Sequence, residues 1–211
     1  MRKIKHFFWD FDGTLFDTYP VIIENLQLAL REFGYDCDAA EAMRLMLDTI
    51  PAARNHYADR FGISRDALTA RYQHYHELSA IELRSEPFDG LPEVLERIRS
   101  LGGRNYIFTH RRASETWDYL QKNKLRDHFQ DVLGTESKGF TVKPSPDSLL
   151  YLMEKYGIDP NESVMVGDRD CALGSGKNAG MKTAHFVCAT FPENLECDWR
   201  ITSFSEMLTM L

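Results

Sequence analysis

Five short apolar runs, each bounded by turn residues, alternate along this chain with stretches whose apolar residues recur at helical spacing. No other feature constrains the fold as much, because this is the pattern of an α/β protein with a largely parallel sheet. The runs are His6–Trp9 and residues 105–108, 132–133, 163–166 and 183–187. Helices are expected between them at residues 92–101, closed by Gly102 and Gly103, at 113–123, and at 146–156. The last has Ser145 as its N-cap, Pro146 at the first helical position and Gly157 as terminator. Phe204, Met207, Leu208 and Leu211 repeat at helical spacing and suit a closing helix.

The alternation breaks between residues 19 and 85. Residues 20–33 are amphipathic, with Ile22, Ile23, Leu26, Leu30 and Phe33 on one side. Helix-like stretches follow at 38–47, 52–61 and 65–83, with no convincing strand among them. A parallel crossover needs only a dozen or more residues, so a segment of about 65 is far longer than required. It is read as an all-helical insertion, residues 19–85, in a core made of residues 1–18 and 86–211. Met43, Leu45, Met46 and Leu47 are expected to pack the insertion's interior. His74 and His76, two apart on a helix, point in different directions and do not form a metal pair.

Polar residues fall where the strands end. His6–Trp9 runs into Asp10-Phe11-Asp12-Gly13-Thr14, residues 106–108 into Thr109, and residues 164–167 into Asp168. Open parallel sheets bind ligands in the crevice outside the carboxyl ends of their strands, so these groups would converge on one polar site. Asp10 and Asp12 share a face of an extended chain, and Gly13 lets the backbone turn sharply after them. Two carboxylates this close imply a bound cation or a shared proton. A calcium loop of the EF-hand kind fails on register. It wants Gly sixth and Glu twelfth, where counting from Asp10 gives Leu15 and Val21.

Asp10-Phe11-Asp12-Gly13-Thr14-Leu15-Phe16-Asp17-Thr18 resembles the first motif of the haloacid-dehalogenase-like superfamily, in its phosphoglycolate-phosphatase-like branch with a helical cap. Thr109 is similar to the second motif, Lys143-Pro144 to the third and Val164-Met165-Val166-Gly167-Asp168 to the fourth, with Lys177-Asn178-Ala179-Gly180 continuing the pattern. The motifs occur in the family's order over the whole chain. The resemblance implies a doubly wound parallel sheet, Rossmann-type, with the insertion as cap. It also implies a Mg²⁺-dependent phosphatase acting on a small phosphorylated metabolite.

By the same resemblance Asp10 is the nucleophile that forms an aspartyl-phosphate, and Asp12 the general acid and base. Asp10, the main-chain carbonyl of Asp12 and Asp168 would hold Mg²⁺, whose charge offsets carboxylate–phosphate repulsion. Lys143 and Thr109 would bind the phosphoryl oxygens. His110 and Arg111 stand where relatives often carry Asn after the Thr or Ser, and His110 is taken as a substrate contact; a solvated helix start is the alternative for both. Ala172 occupies the place of a second acid frequent in the fourth motif, with Asp170 nearby as a partial substitute or a plain surface residue. Thr49, Ile50 and Arg54 are candidates for substrate selection in the insertion. Two other functions stay open: a sugar-phosphate mutase with the same catalytic residues, and a catalytically weak phosphate-binding protein, which Ala172 favours. Dehalogenation is disfavoured because Asp12 is the acid that phosphoryl transfer wants.

Composition narrows partners and location. Lys and Arg number 25 against 32 Asp and Glu, a net charge of −7, which disfavours nucleic-acid binding. No apolar stretch is long enough to span a membrane, no obligate protein partner is evident, and the basic N-terminus is interrupted by Trp9-Asp10 before a signal-peptide core could form. Cys37, Cys171, Cys188 and Cys197 show no metal or disulfide spacing, so reduced thiols in the cytoplasm are expected.

Overall fold

A computed structural model describes residues 3–46, 49–134, 136–137, 141–187 and 194–208. Leu47, Cys188 and Leu211 lie outside the described residues. The chain divides into two compact units, one of Met1–Asp17 with Glu86–Leu211 and one of Thr18–Ser85.

The first unit holds a single sheet of six parallel strands: β1 His6–Trp9, β2 Arg104–Phe108, β3 Phe129–Leu133, β4 Ser163–Gly167, β5 Lys182–Phe186 and β6 Trp199–Ile201. Their order is β3-β2-β1-β4-β5-β6, and every pairing is parallel. This is the doubly wound order whose direction reverses beside β1, so the crevice for a ligand opens at the carboxyl ends of β1 and β4. Register sets the layers. Phe8 is paired with Tyr106 and with Met165, and these side chains pack with Phe108, Leu133, Leu149, Leu152, Met153 and Ala172 in one buried cluster. On the opposite face Trp9 and Phe186 pack against Phe204, at ring-centroid distances of 5.9 and 4.8 Å. Burying each such side chain contributes roughly 1.5–3 kcal/mol.

Helices of the first unit are α5 Leu91–Ser100, α6 Ala113–Lys122, α7 Asp147–Tyr156, α8 Asp170–Asn178 and α9 Phe204–Leu208. α7 begins one residue later than its sequence signal, with Pro146 in the cap position. Ser145 Oγ accepts the Asp147 N–H at 3.3 Å instead of capping deeper in the turn. Two edge strands were less legible. β3 starts at Phe129, three residues before its apolar pair, because Gln130 and Asp131 sit on a sheet edge that tolerates polar side chains. β6 was not anticipated: three residues at the other edge carry no run of apolar residues, and the strand is reached through Asp198, whose Oδ2 accepts the Thr183 N–H at 2.9 Å.

The second unit is all-helical among the described residues: α1 Tyr19–Arg31, α2 Ala39–Met46, α3 Ile50–Phe61 and α4 Arg65–Glu82. The apolar stripe of α1 buries Ile22, Ile23, Leu26, Ala29 and Leu30. Its polar neighbour Asn25 is buried as well and donates from Nδ2 to Ser79 Oγ of α4 at 2.9 Å. Thr49 caps α3, its Oγ1 accepting the Ala52 N–H at 3.0 Å, and Gly62 closes that helix at φ +66°. No helix of the described residues is long and apolar enough to cross a membrane.

Candidate active site

The site is built by strand ends of the first unit. β1 delivers Asp10, whose N–H donates to Val166 O of β4 at 2.9 Å, extending the ladder one residue past the strand. The chain then folds back: the Gly13 N–H donates to Phe16 O at 2.9 Å, with Gly13 at φ +70°, a conformation that favours glycine. Asp10 is 2% exposed. Its Oδ1 accepts the Phe11 N–H at 2.7 Å and lies 2.7 Å from Lys143 Nζ, in an ion pair whose side chains are 3% and 0% exposed. Asp10 Oδ2 is buried with no hydrogen-bond partner among the described residues. Asp168, following β4, is buried too, and its Oδ1 accepts from Thr14 Oγ1 at 3.3 Å.

Lys143 enters on a loop and needs holding. Its ammonium lies 5.0 Å from the Phe108 ring centroid. Its own N–H donates to His110 Nε2 at 3.1 Å. His110 presents part of its ring to solvent, yet burial of the rest, and next the Lys143 cation, push its pKa down to about 4. Neutral imidazole is the form that can accept this bond. His110 is therefore engaged with the lysine's backbone.

After β2, Thr109 N–H donates to Leu133 O at 3.0 Å, and Thr109 Oγ1 accepts the Arg111 N–H at 3.1 Å. Arg111, for which the sequence left a substrate contact and a solvated helix start open, is not solvated in this structure. Its side chain is 6% exposed. One guanidinium nitrogen donates to Asp12 Oδ1 at 2.6 Å and the other to Glu115 Oε1, in the first turn of α6. Burial alone would weaken this cation, but Asp12 and then Glu115 outweigh it and hold its pKa above the ordinary arginine value. Glu115 was missed altogether. The available signal was the spacing: opposite charges four apart at a helix start are neighbours on one face, although such pairs usually lie in solvent.

The remaining expectations separate by burial. Ala172 is fully buried in the apolar cluster, and a Cβ on Gly167 would come within 2.5 Å of its own. Asp170 is exposed in the first turn of α8. The buried or nearly buried acids Asp10, Asp12, Glu115 and Asp168 outnumber the buried cations Lys143 and Arg111. Among the described residues no three His, Cys, Asp or Glu side chains are grouped to bind a metal. Mg²⁺ needs no such cage, since it keeps several waters and takes one or two carboxylates. The orphaned Asp10 Oδ2, the excess of acid and the nearby Asp168 fit that ion.

The profile of the haloacid dehalogenase-like hydrolases matches residues 7–186. The chain belongs to that family. It is 28% identical to the glyceraldehyde 3-phosphate phosphatase of Pyrococcus furiosus, covering 100% of this chain and 94% of that protein. It is 29% identical to the N-acetylmuramic acid 6-phosphate phosphatase of Pseudomonas aeruginosa (86% and 81%) and 28% identical to the phosphoglycolate phosphatase of Thiobacillus denitrificans (78% and 75%). The crystal structure of a predicted phosphoglycolate phosphatase from Haemophilus somnus shares the fold at a TM-score of 0.87 and 19% identity, over 100% of this chain and 99% of that one. This haloacid dehalogenase-like hydrolase is thus a phosphatase, and its relatives differ in the molecule they act on.

Proposed function

We propose that the chain is a Mg²⁺-dependent phosphate monoesterase acting on a small phosphorylated metabolite through an aspartyl-phosphate on Asp10. The observation that carries this reading is the buried Asp10–Lys143 pair, 2.7 Å apart, beside Asp168 at the reversal point of the sheet. A carboxylate whose one oxygen is engaged by an ammonium and whose other is unpartnered is poised to attack phosphorus. Lys143 and Thr109 hold the phosphoryl oxygens. Asp12 protonates the departing alcohol and later takes a proton from the water that attacks the acyl phosphate. Asp10 and Asp168, with the Asp12 carbonyl, would hold Mg²⁺, which supplies charge to offset repulsion between the acids and the phosphate. The helical unit serves as the cap that selects among phosphate esters.

A panel of phosphate monoesters, assayed with and without Mg²⁺, tests the reading. Turnover that requires the ion and disappears in a folded Asp10→Asn variant is expected. Near-normal turnover by that variant would overturn the mechanism.

A further inference from the structure

The clamp on Asp12 does more than pair a buried arginine with two acids. Its parts are fixed one by one. A Cβ at Gly134 would collide with the backbone of Arg111 and Ala113, so the residue that follows β3 presses directly on the turn that carries Arg111. Glu136 accepts the Ala113 and Ser114 N–H groups at 2.9 and 3.0 Å and pins the start of α6. Thr109 Oγ1 pins the Arg111 N–H. The guanidinium carbon then lies 5.5 Å from both the Phe11 and the Tyr119 ring centroids. Those rings pack with Phe16 at centroid distances of 4.7 and 5.5 Å, forming an aromatic seat. Glu115, on the same helix, fixes the remaining end of the planar fork.

A buried ion pair adds little net stability over apolar packing. What such an assembly does supply is geometry, because the guanidinium fork is rigid and directional where an ammonium is not. We propose that Arg111, anchored by Glu115, is a positioning residue that fixes the Asp12 carboxylate in the orientation needed for proton transfer to the leaving group. Glu115 also offsets part of the arginine's charge, so Asp12 is oriented without facing an unshared cation. The inference rests on the proposed acid–base role of Asp12. It adds to that role the residues that determine where the carboxylate points.

The experiment compares leaving groups. p-Nitrophenyl phosphate needs little acid help, whereas an alkyl phosphate needs much. Asp12→Asn is the reference and should lose far more on the alkyl ester. Arg111→Met is expected to lower kcat for the alkyl ester by about 100-fold, the effect of a small misplacement of a catalytic group. Loss on p-nitrophenyl phosphate should be much smaller and KM nearly unchanged. Added guanidinium should restore alkyl-ester turnover to Arg111→Ala. Glu115→Leu, which leaves Asp12 and Arg111 in place, should give the same pattern at smaller size and remain measurable should the arginine variants fold poorly. Glu115→Gln keeps an acceptor but not the charge and should fall between the wild-type protein and Glu115→Leu. Equal losses on both esters, or a raised KM with kcat intact, would overturn the positioning role and make Arg111 a substrate contact. If Asp12→Asn itself shows no dependence on the leaving group, the acid–base reading has failed and the inference falls with it.

Discussion

The two units of this chain bury polarity in opposite ways. The helical unit buries Thr18, Asn25, Ser79 and Ser85, all uncharged, and leaves its ion pairs at the surface. Arg65 and Asp59, for example, pair at 2.6 Å with side chains 58% and 57% exposed. The sheet unit buries Asp10, Arg111, Glu115, Lys143 and Asp168, all at or after the carboxyl ends of strands. Removing charge from water is costly and is recovered only through close partners. The contrast marks one unit as built for packing and the other as holding electrostatic work in place.

The largest effect expected from that contrast comes from breaking a pair in each unit. Lys143→Met leaves Asp10 without its cation, and loss of one partner of a buried pair costs about 3–5 kcal/mol. Arg65→Ala, which breaks a solvent-screened surface pair, should change stability far less. Urea unfolding without divalent ions measures both. The double variant Lys143→Met with Asp10→Leu should recover most of the loss; if it does not, lysine packing rather than charge accounts for the effect.

How much of this could be read from the sequence follows the same division. The places of Asp10, Asp12, Thr109 and Asp168 were legible because each follows an apolar run whose direction fixes where the chain emerges, whereas Lys143 lies outside any strand and was reached only through the motif resemblance. The helices of the insertion were legible from their apolar stripes, as in α1, to within a residue or two at their ends. The Arg111–Glu115 clamp was not legible as a buried device, since its depth comes from Gly134, Phe11 and Tyr119, which are distant in sequence and meet only in the fold. β6 escaped for a related reason: its place at the sheet edge depends on Asp198 reaching Thr183.

The excess of acid in the sheet unit gives a second, smaller prediction with an unusual sign. Asp168→Asn removes one of several crowded carboxylates while keeping an acceptor for Thr14. In chelator it should stabilise the protein by about 0.5–2 kcal/mol, as relief at a strained functional site commonly does. With Mg²⁺ added the proposed function predicts that the order reverses, since an ion held in part by Asp168 stabilises the wild-type protein more than the variant. Destabilisation of the variant in chelator would show that Asp168 is satisfied by its protein partners alone.

A third test uses pH. Burial and the Lys143 cation hold His110 at about 4, below the ordinary histidine value near 6.5. The unfolded chain therefore takes up this proton first as pH falls. The stability contributed by neutral His110 is complete above about 6.5 and is lost progressively down to about 4. Thermal unfolding between pH 7 and 4.5 should show a shallower acid loss in His110→Gln, which does not titrate. The same loss in both proteins would place the acid sensitivity elsewhere, for instance in the exposed carboxylates of the helical unit.

The smallest effect expected belongs to Asp170, and it separates chemistry from scaffolding within the fourth motif. The acid place at residue 172 is filled by a fully buried alanine whose neighbours are Phe8, Phe108 and Met165. Asp170 lies two residues earlier, exposed, in the first turn of α8. An acid there interacts favourably with the unpaired N–H groups and positive end of the helix, an effect of about 0.3–1 kcal/mol. Asp170→Ala should therefore lower the unfolding midpoint slightly, with the loss diminishing in high salt, and leave the Mg²⁺ concentration for half-maximal turnover unchanged. Asp170→Asn, which removes the charge but keeps a polar side chain, should lie between the two. A several-fold rise in the Mg²⁺ requirement of Asp170→Ala would give this exposed acid a part in holding the ion and would extend the functional charge of the sheet unit to its surface.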